Sequence, residues 1–393
     1  MTWGRSWRDL RQSVCVQFEN TQDPWGIAAL HRCFKGYEEE HRHRQASECV
    51  GPPSPSMPKR SSTAALRKAW NKGLRAVTGQ VMRAATKAAR SAAPDVMPGL
   101  KKTPPHPSPG LGDWLSGLAT ARVGMRRFKL FRPTGLTPGE RPPLIVMLHG
   151  CGQDPAGFAR STRMNRLAAR ERLLVLYPEQ SRLANPQRCW NWFDTESGRA
   201  QGEAALILAA IDQVCAFHGA DRERVALVGL SAGAGMAALL ATLHPERFRA
   251  IAMHSGVPPG LASSATTALR AMRGQAEAAA VDGGATWPPL LVIQGNQDRI
   301  VATPNAFEAA RQWALAAGAA TVQDRRVQRG KRLPMTIVDF KRGSAVAATL
   351  VEIDGLAHAW SGGPAKEPFS DPNGPDATAM IWRFIAKRFA PPR

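Results

Sequence analysis

A mostly parallel α/β sheet with helices on both faces is the fold class this sequence predicts, and three observations predict it. Short, wholly apolar runs of strand length recur at Leu144–Leu148, Leu173–Tyr177, Val225–Val228, Ala250–Met253 and Leu290–Ile293. They lack polar alternation, the mark of strands buried on both faces. Helical stretches separate them, at Met164–Glu171, Glu203–Phe217, Ala234–Thr242, Asn305–Ala317 and Ala377–Phe389. The candidate chemical groups fall just after strand ends, where open α/β sheets hold their sites. Arg127–Arg132 predicts one earlier strand, and Met335–Phe340 with Thr349–Ile353 a hairpin-like pair at the sheet edge.

Composition narrows the function classes. The chain has 393 residues, 44% of them hydrophobic, which is ample for a core and excludes a largely disordered protein. Its net charge of +21 suits nucleic acid, an anionic surface or an acidic partner. No zinc-finger spacing, RNP-like aromatic block or phosphate-binding loop accompanies the charge, so no specific nucleic-acid partner follows. No apolar run approaches the length needed to span a bilayer, so the chain is not read as transmembrane. None of the six cysteines pairs at metal-ligand spacing, and no metal is expected.

The N-terminal third differs in texture. Residues 1–56 are polar, weakly patterned and end in the turn-rich Gly51–Ser56, so they read as disordered, or as an upstream extension before a true start at Met57. Residues 57–112 read as a basic amphipathic helix followed by a linker. Leu66, Trp70, Leu74, Val77 and Val81 recur at helical spacing, Arg67, Lys68, Lys72, Arg75, Arg83, Lys87 and Arg90 supply charge, and no acidic residue lies between Glu48 and Asp95. Such a helix is either packed and solvated in the ordinary way or adheres to the surface of a lipid-coated or polymeric particle. Gly73 and Gly79 weaken it in isolation, and Lys101–Gly110 is a stiff, proline-rich linker. Residues 113–393 form the expected catalytic domain. The basic N-terminus has no apolar core after it, so no secretory signal is read and a cytoplasmic location stays open.

The chemistry centres on Gly229-Leu230-Ser231-Ala232-Gly233, which fits G-x-S-x-G between an apolar strand and a small-residue helix. In a nucleophile elbow this pattern lifts a serine Oγ above a cramped strand-to-helix turn. A serine hydroxyl needs a base, and the base an orienting acid, in the order Ser, acid, His. Leu291–Asp298 is an apolar strand, a glycine turn and a carboxylate, which makes Asp298 the best-placed acid. Asp324, Asp339 and Asp354 compete, the first in a basic loop, the second within a strand, the third at a strand end. His358 lies in the small-residue loop Gly355–Gly363 after the last strand and is the expected base. His218 and His244 read as helix ends, and His254 as a core hydrogen-bonding residue or pocket wall. The glycine-flanked Cys151, in the loop directly after Leu148, and Ala232, next to the serine, are the expected backbone N–H donors to an oxyanion.

Five segments together carry a resemblance: His149–Gln153, Leu176–Ser181, Arg188–Phe193, Gly229–Gly233 and Gly355–Gly363. Over roughly residues 120–390 the chain resembles the poly(3-hydroxybutyrate) depolymerase family of α/β-hydrolase esterases, whose wider group includes feruloyl and acetylxylan esterases. The resemblance implies the α/β-hydrolase fold, a Ser231–Asp298–His358 triad with the Cys151 and Ala232 amides as oxyanion donors, and no cofactor. It implies hydrolysis of a short-chain polyhydroxyalkanoate polymer or oligomer, with a feruloyl or acetyl ester of plant polysaccharide as the alternative. Members are commonly extracellular. A granule-binding protein with a degenerate hydrolase domain is the reading from another class. Trp192 and Trp360 are candidates to offer aromatic surface to substrate, with core packing the alternative for both, equally for Trp192 and less so for Trp360 beside the base. Cys151 and Cys189 are candidates for a disulfide because both loops lie at the same strand-end edge. Cys215, on an apolar helix, reads as core.

Overall fold

The computed structural model describes residues 111–390, apart from Ala278, Ala279 and Asp282. The expectations for residues 1–56 and for the basic helix and linker of 57–110 lie outside the described residues. The sheet has ten strands: β1 (Gly112–Ala121), β2 (Gly124–Pro133), β3 (Leu144–Leu148), β4 (Leu174–Pro178), β5 (Val225–Leu230), β6 (Ala250–His254), β7 (Leu290–Gly295), β8 (Thr321–Val327), β9 (Met335–Arg342) and β10 (Ala345–Ile353). Their order is β1-β2-β4-β3-β5-β6-β7-β10-β9-β8. The central run from β4 to β10 is parallel, and the pairs at both margins are antiparallel. A small two-stranded ladder, β11 (Trp360–Ser361) with β12 (Ser370–Asp371), lies apart from it. The helices are α1 (Pro155–Thr162), α2 (Met164–Glu171), α3 (Arg199–Phe217), α4 (Ala232–Leu243), α5 (Ala265–Met272), α6 (Pro304–Ala316) and α7 (Ala377–Phe389).

All five residues of β3 are buried, and their alternation divides the core in two. Leu144, Val146 and Leu148 join Ala204, Ile207 and Ile211 of α3 and Trp313 of α6 on one face. Ile145 and Met147 join Met164 and Leu167 of α2 and Ile381 and Ile385 of α7 on the other. Successive side chains of a strand point to opposite faces, so an unbroken apolar run feeds both layers. Helix α3 is long and apolar enough, by length and composition, to cross a membrane. It packs instead against the sheet through Ala204, Ile207, Ile211 and Val214, as core helices do.

The β9–β10 pair differs from expectation, and β8, β1, α1 and α5 were not anticipated. The β9–β10 pair forms, but β10 also pairs in parallel with β7 and the sheet edge is β8. Strand β8 reads Thr-Val-Gln-Asp-Arg-Arg-Val and is exposed over nearly its whole length, so it carries no apolar signal; charged edges of this kind resist pairing with other chains. Strand β1 holds Gly117, where a Cβ would sit 2.0 Å from the Phe128 ring of β2, so the glycine that blurs the strand pattern is required by the partner strand. Helix α1 begins with a cap signal, Asp154 accepting from the Gly157 N–H at 2.8 Å ahead of Pro155. Helix α5 begins with a Ser264/Thr267 capping box.

Candidate active site

Strand β5 runs straight into Ser231 and then α4. Ser231 is held at φ 57°, ψ −121°, a region that costs a non-glycine residue about 1–3 kcal/mol and persists only where the surroundings impose it. Here the surroundings do. A Cβ on Gly229 would lie 2.2 Å from the Gly233 carbonyl oxygen, and one on Gly233 would lie 2.0 Å from that of Leu148. No alanine fits at either glycine, so the motif spacing reports two backbone contacts. The Ser231 N–H donates to the His254 carbonyl on neighbouring β6 at 2.8 Å, while the Ala234 and Gly235 amides close on the Ser231 carbonyl.

Asp298 stands in the turn after β7 and is almost completely buried. One carboxylate oxygen accepts the Ile300 and Val301 N–H groups, each at 2.9 Å. The other accepts from His358 Nδ1 at 2.7 Å and Gln294 Nε2 at 3.2 Å. Burial alone would raise this carboxyl's pKa; the charge and hydrogen bond of His358 and the two amides outweigh it and hold the group below its usual value. An ionised carboxylate only accepts, so His358 carries its proton on Nδ1 and leaves Nε2 free to take another. The two loops are locked together, since a Cβ on Gly295 would lie 2.1 Å from the Leu356 carbonyl oxygen and Gln297 N–H donates to that oxygen at 3.0 Å. The competing carboxylates are engaged elsewhere or lie apart. Asp339 pairs with Arg325 and Thr349, Asp354 with Arg326 and Asn296, and Asp324 sits on the exposed edge strand.

His254 is the shared neighbour of serine and imidazole. Its carbonyl accepts from Ser231, and its Nε2 accepts the Ser361 N–H at 3.2 Å, three residues past His358. Its ring is fully buried and stacked on Trp360, with centroids 5.2 Å apart. Burial, then the nearby His358, lowers its pKa to about 3.

The loop after β3 passes directly beside Ser231, because a Cβ on Gly150 would come within 3.6 Å of the serine Cβ. Gly150 N–H donates to Gln153 Oε1, Gly152 N–H to the Gln187 carbonyl and Gln153 N–H back to Gly150. Among the described residues the Cys151 amide is the one in this turn with no acceptor. Ala232 is the first residue of α4, so its N–H has no partner inside the helix. A disulfide joins Cys151 to Cys189, and Trp190 Nε1 donates to the His149 carbonyl at 3.0 Å. His149 Nε2 accepts the Gln180 N–H at 3.1 Å, and burial lowers this histidine's pKa to about 4. Cys215 is buried in the core with its thiol free.

Behind this loop lies a polar cluster that sequence reasoning did not assign. Glu203, buried on α3, accepts from Gln180 Nε2 at 2.6 Å and from the Asn191 side chain and backbone at 2.7 and 2.9 Å. Arg126 completes it, 3.8 Å from Glu203, bonded to Gln180 and lying over the Trp190 ring. The available signals were a lone glutamate in the apolar stretch Ala204–Ala210 adjoins, and Gln180 and Asn191 inside segments already singled out.

Trp192 borders a narrow apolar cleft beside Ser231 and the disulfide, together with Phe193, Val257, Met272 and Val301. Trp360 does not. It is 1% exposed, meets Phe158 edge-on at 5.6 Å and donates from Nε1 to Thr378. The expectation of substrate contact at Trp360 is corrected: its side chain turns into the α2/α7 core layer and supports the histidine loop from beneath. Among the described residues no cluster of three or more His, Cys, Asp or Glu side chains could hold a metal.

Replacing Glu203 by leucine strands the Arg126 guanidinium in the core, and loss of one partner of a buried pair costs about 3–5 kcal/mol; a urea titration should show the midpoint falling, with a smaller fall for Glu203→Gln. Folded-state pKa values near 4 for His149 and 3 for His254 lie below an unfolded value of about 6.5. The unfolded chain therefore binds more protons across that window, and stability is lost as pH drops below about 6.5. Thermal midpoints from pH 7 to 4 should decline, less steeply in His254→Gln; an equally steep decline in that variant excludes His254 as a source.

Known proteins resemble this chain in sequence and in fold. A family model described as Esterase PHB depolymerase matches residues 127–331. The chain is 35% identical over 159 residues to poly(3-hydroxyalkanoate) depolymerase C of Paucimonas lemoignei, covering 40% of this chain and 37% of that protein. It is 29% identical over 196 residues to feruloyl esterase B of Neurospora crassa, covering 45% of this chain and 66% of that one. The chain thus spans between about a third and two thirds of the length of these relatives. Among solved structures, the acetyl xylan esterase of Aspergillus awamori shares the fold, with a TM-score of 0.55 at 18% identity over 71% of this chain and all of that one. The family model covers just over half of the sequence, and the chain belongs to the Esterase PHB depolymerase family.

Proposed function

We propose that this chain is a serine esterase that cleaves carboxylic esters through an acyl-enzyme. The reading is carried by one observation, the buried Asp298–His358 hydrogen bond held at the strand-end rim that also carries the strained Ser231. Ser231 Oγ attacks the ester carbonyl carbon while His358 Nε2 takes the hydroxyl proton, and Asp298 stabilises the imidazolium that forms. The carbonyl oxygen becomes an oxyanion facing the Cys151 and Ala232 amides, each such donor contributing roughly 3–4 kcal/mol to the barrier reduction. Collapse expels the alcohol with the proton returned by His358, and water, deprotonated by the same nitrogen, releases the acid. Every step uses side chains and amides of the chain itself.

The favoured substrate is a short-chain hydroxyalkanoate polyester or its oligomers. The cleft beside Ser231 is walled by bulky apolar groups, Trp192, Phe193 and Met272, which suits a short acyl unit, and a depolymerase is among the relatives. A feruloyl or acetyl carbohydrate ester is the second reading, favoured by the two aromatic rings of that wall, which meet edge to face at 5.5 Å. Ser231→Ala should lower kcat on p-nitrophenyl butyrate by at least about ten-thousandfold. Retention of most of the rate excludes the triad, and a panel of amorphous polyhydroxybutyrate, its dimer and methyl ferulate ranks the substrates.

The basic segment 57–95 is proposed to hold the enzyme on a polymer or granule surface, on the strength of its nine cations and its apolar residues at helical spacing. Deleting it should abolish sedimentation with polyhydroxybutyrate particles and leave p-nitrophenyl butyrate hydrolysis unchanged. Unaltered sedimentation excludes this role.

A further inference from the structure

A second cavity, of about 360 Å³, opens away from the serine cleft, between the N-terminal end of β1, helices α1 and α2 and the loop at Pro364–Glu367. That volume lies within the range of small-molecule sites, roughly 300–1,000 Å³. Its apolar wall is Trp114, Phe131 and Ala159, with Trp114 tilted against the buried Tyr177 at 5.3 Å. Its polar groups are nearly all donors. The one carboxylate on the wall, Glu367, is already neutralised by Arg160 at 2.9 Å. Arg163, Arg166 and Lys366 also border it, and among the described residues none of the three has an acidic partner within ion-pair distance.

Asn165 adds direction to the charge. It is 7% exposed, and its Oδ1 accepts the Tyr177 hydroxyl at 2.7 Å. That bond sets the orientation of the amide and leaves Nδ2, a pure donor, without a protein acceptor among the described residues, on a side chain that lines the cavity. Arg163 stands at the junction of α1 and α2 in the left-handed region, φ 55°, ψ 21°, where glycine or asparagine is the usual choice. A guanidinium is thus kept at the rim at a position that disfavours it.

We propose that this cavity is a binding site for a carboxylate with a short apolar body, specifically a 3-hydroxyalkanoate acid or its linear dimer. The carboxylate is received by Asn165 Nδ2 and the Arg163 and Arg166 guanidiniums, and the carbon chain lies against Trp114, Phe131 and Ala159. Choosing the hydroxyalkanoate rests on the esterase reading, since that acid is its product; the donor-lined, apolar-walled chemistry of the cavity does not. Because the Pro364–Glu367 loop follows His358 by only a few residues, an acid bound there would lie against the segment that carries the proposed base.

The test is calorimetric titration of the full-length Ser231→Ala chain with the linear 3-hydroxybutyrate dimer acid, its methyl ester and inorganic phosphate. One acid per chain should bind outside the serine cleft, as the site lost in the variants below, with the methyl ester and phosphate each weaker there by at least about tenfold, the ratio expected for loss of a charged hydrogen bond or of the apolar contact. Arg163→Glu/Arg166→Glu should weaken the acid by a similar factor. So should Asn165→Asp, which keeps the acceptor for Tyr177 and replaces the donor with a repelling oxygen. In the Ser231 background these variants should retain p-nitrophenyl butyrate turnover. Unchanged acid affinity in both variants, no acid binding, or phosphate binding as tightly as the acid each overturns the proposal. Failure of the esterase reading shows separately, as absence of turnover by the unaltered chain, and leaves the titration interpretable.

Discussion

The whole site is referred to one backbone approach, the packing of Gly233 against the end of β3. The gap there admits no side-chain carbon, since a Cβ would stand 2.0 Å from the Leu148 carbonyl oxygen. With that distance set, the loop carrying Cys151 must leave β3 alongside the elbow, and the elbow must turn at Ser231 with a positive φ. The Ser231 turn and the loop that carries Cys151 are therefore positioned by the same contact. Strain at Ser231 is tolerable because β5 and α4 are buried along almost their full length, and a packed core transmits constraint rather than absorbing it.

Two buried carboxylates then hold the parts that the backbone alone leaves loose. Asp298 fixes the tautomer and direction of His358, and Glu203 fixes the Trp190–Trp192 loop through Asn191 and Gln180. Each anion accepts several hydrogen bonds in a dry environment, where an unmatched charge would be far more costly than in water. The difference between them lies in the cation. Asp298 faces an imidazole that can gain and lose a proton, whereas Glu203 faces an arginine that stays charged. The first pair can take part in chemistry and the second can only support it.

Much of this was legible in the sequence, for identifiable reasons. The central strands β3, β4, β5, β6 and β7 announced themselves because strands buried on both faces must be continuously apolar, and α2 and α7 because their apolar residues recur at helical spacing. Ser231 was visible through the glycines its turn requires, and Asp298 and His358 through the loops that follow β7 and β10. What escaped has an equally physical cause. Strand β8 is solvated along nearly all its length and so lacks a hydrophobic signature. Trp360 was misread because proximity to His358 along the chain says nothing about direction: two residues on, the side chain enters the opposite layer. Glu203 was passed over because its partners Arg126, Gln180 and Asn191 come from three separate segments, and only folding brings four polar groups into one buried cluster.

The Cys151–Cys189 disulfide acts on the glycine-rich loop that follows β3. Cys151 is flanked by Gly150 and Gly152, residues with the most backbone freedom to lose. A cross-link to Cys189, 38 residues away, removes roughly 4 kcal/mol of unfolded-chain entropy on the loop-closure model. The same bond ties the glycine turn to a segment anchored by Glu203 and by the Trp190–His149 hydrogen bond. Permissive backbone and rigid tether are complementary here: the glycines make the tight turn attainable, and the tether makes it the conformation the loop keeps. Under the proposed esterase reading, an amide so held would need no reorganisation as negative charge develops on the substrate oxygen, which is the condition under which a backbone dipole stabilises an oxyanion most.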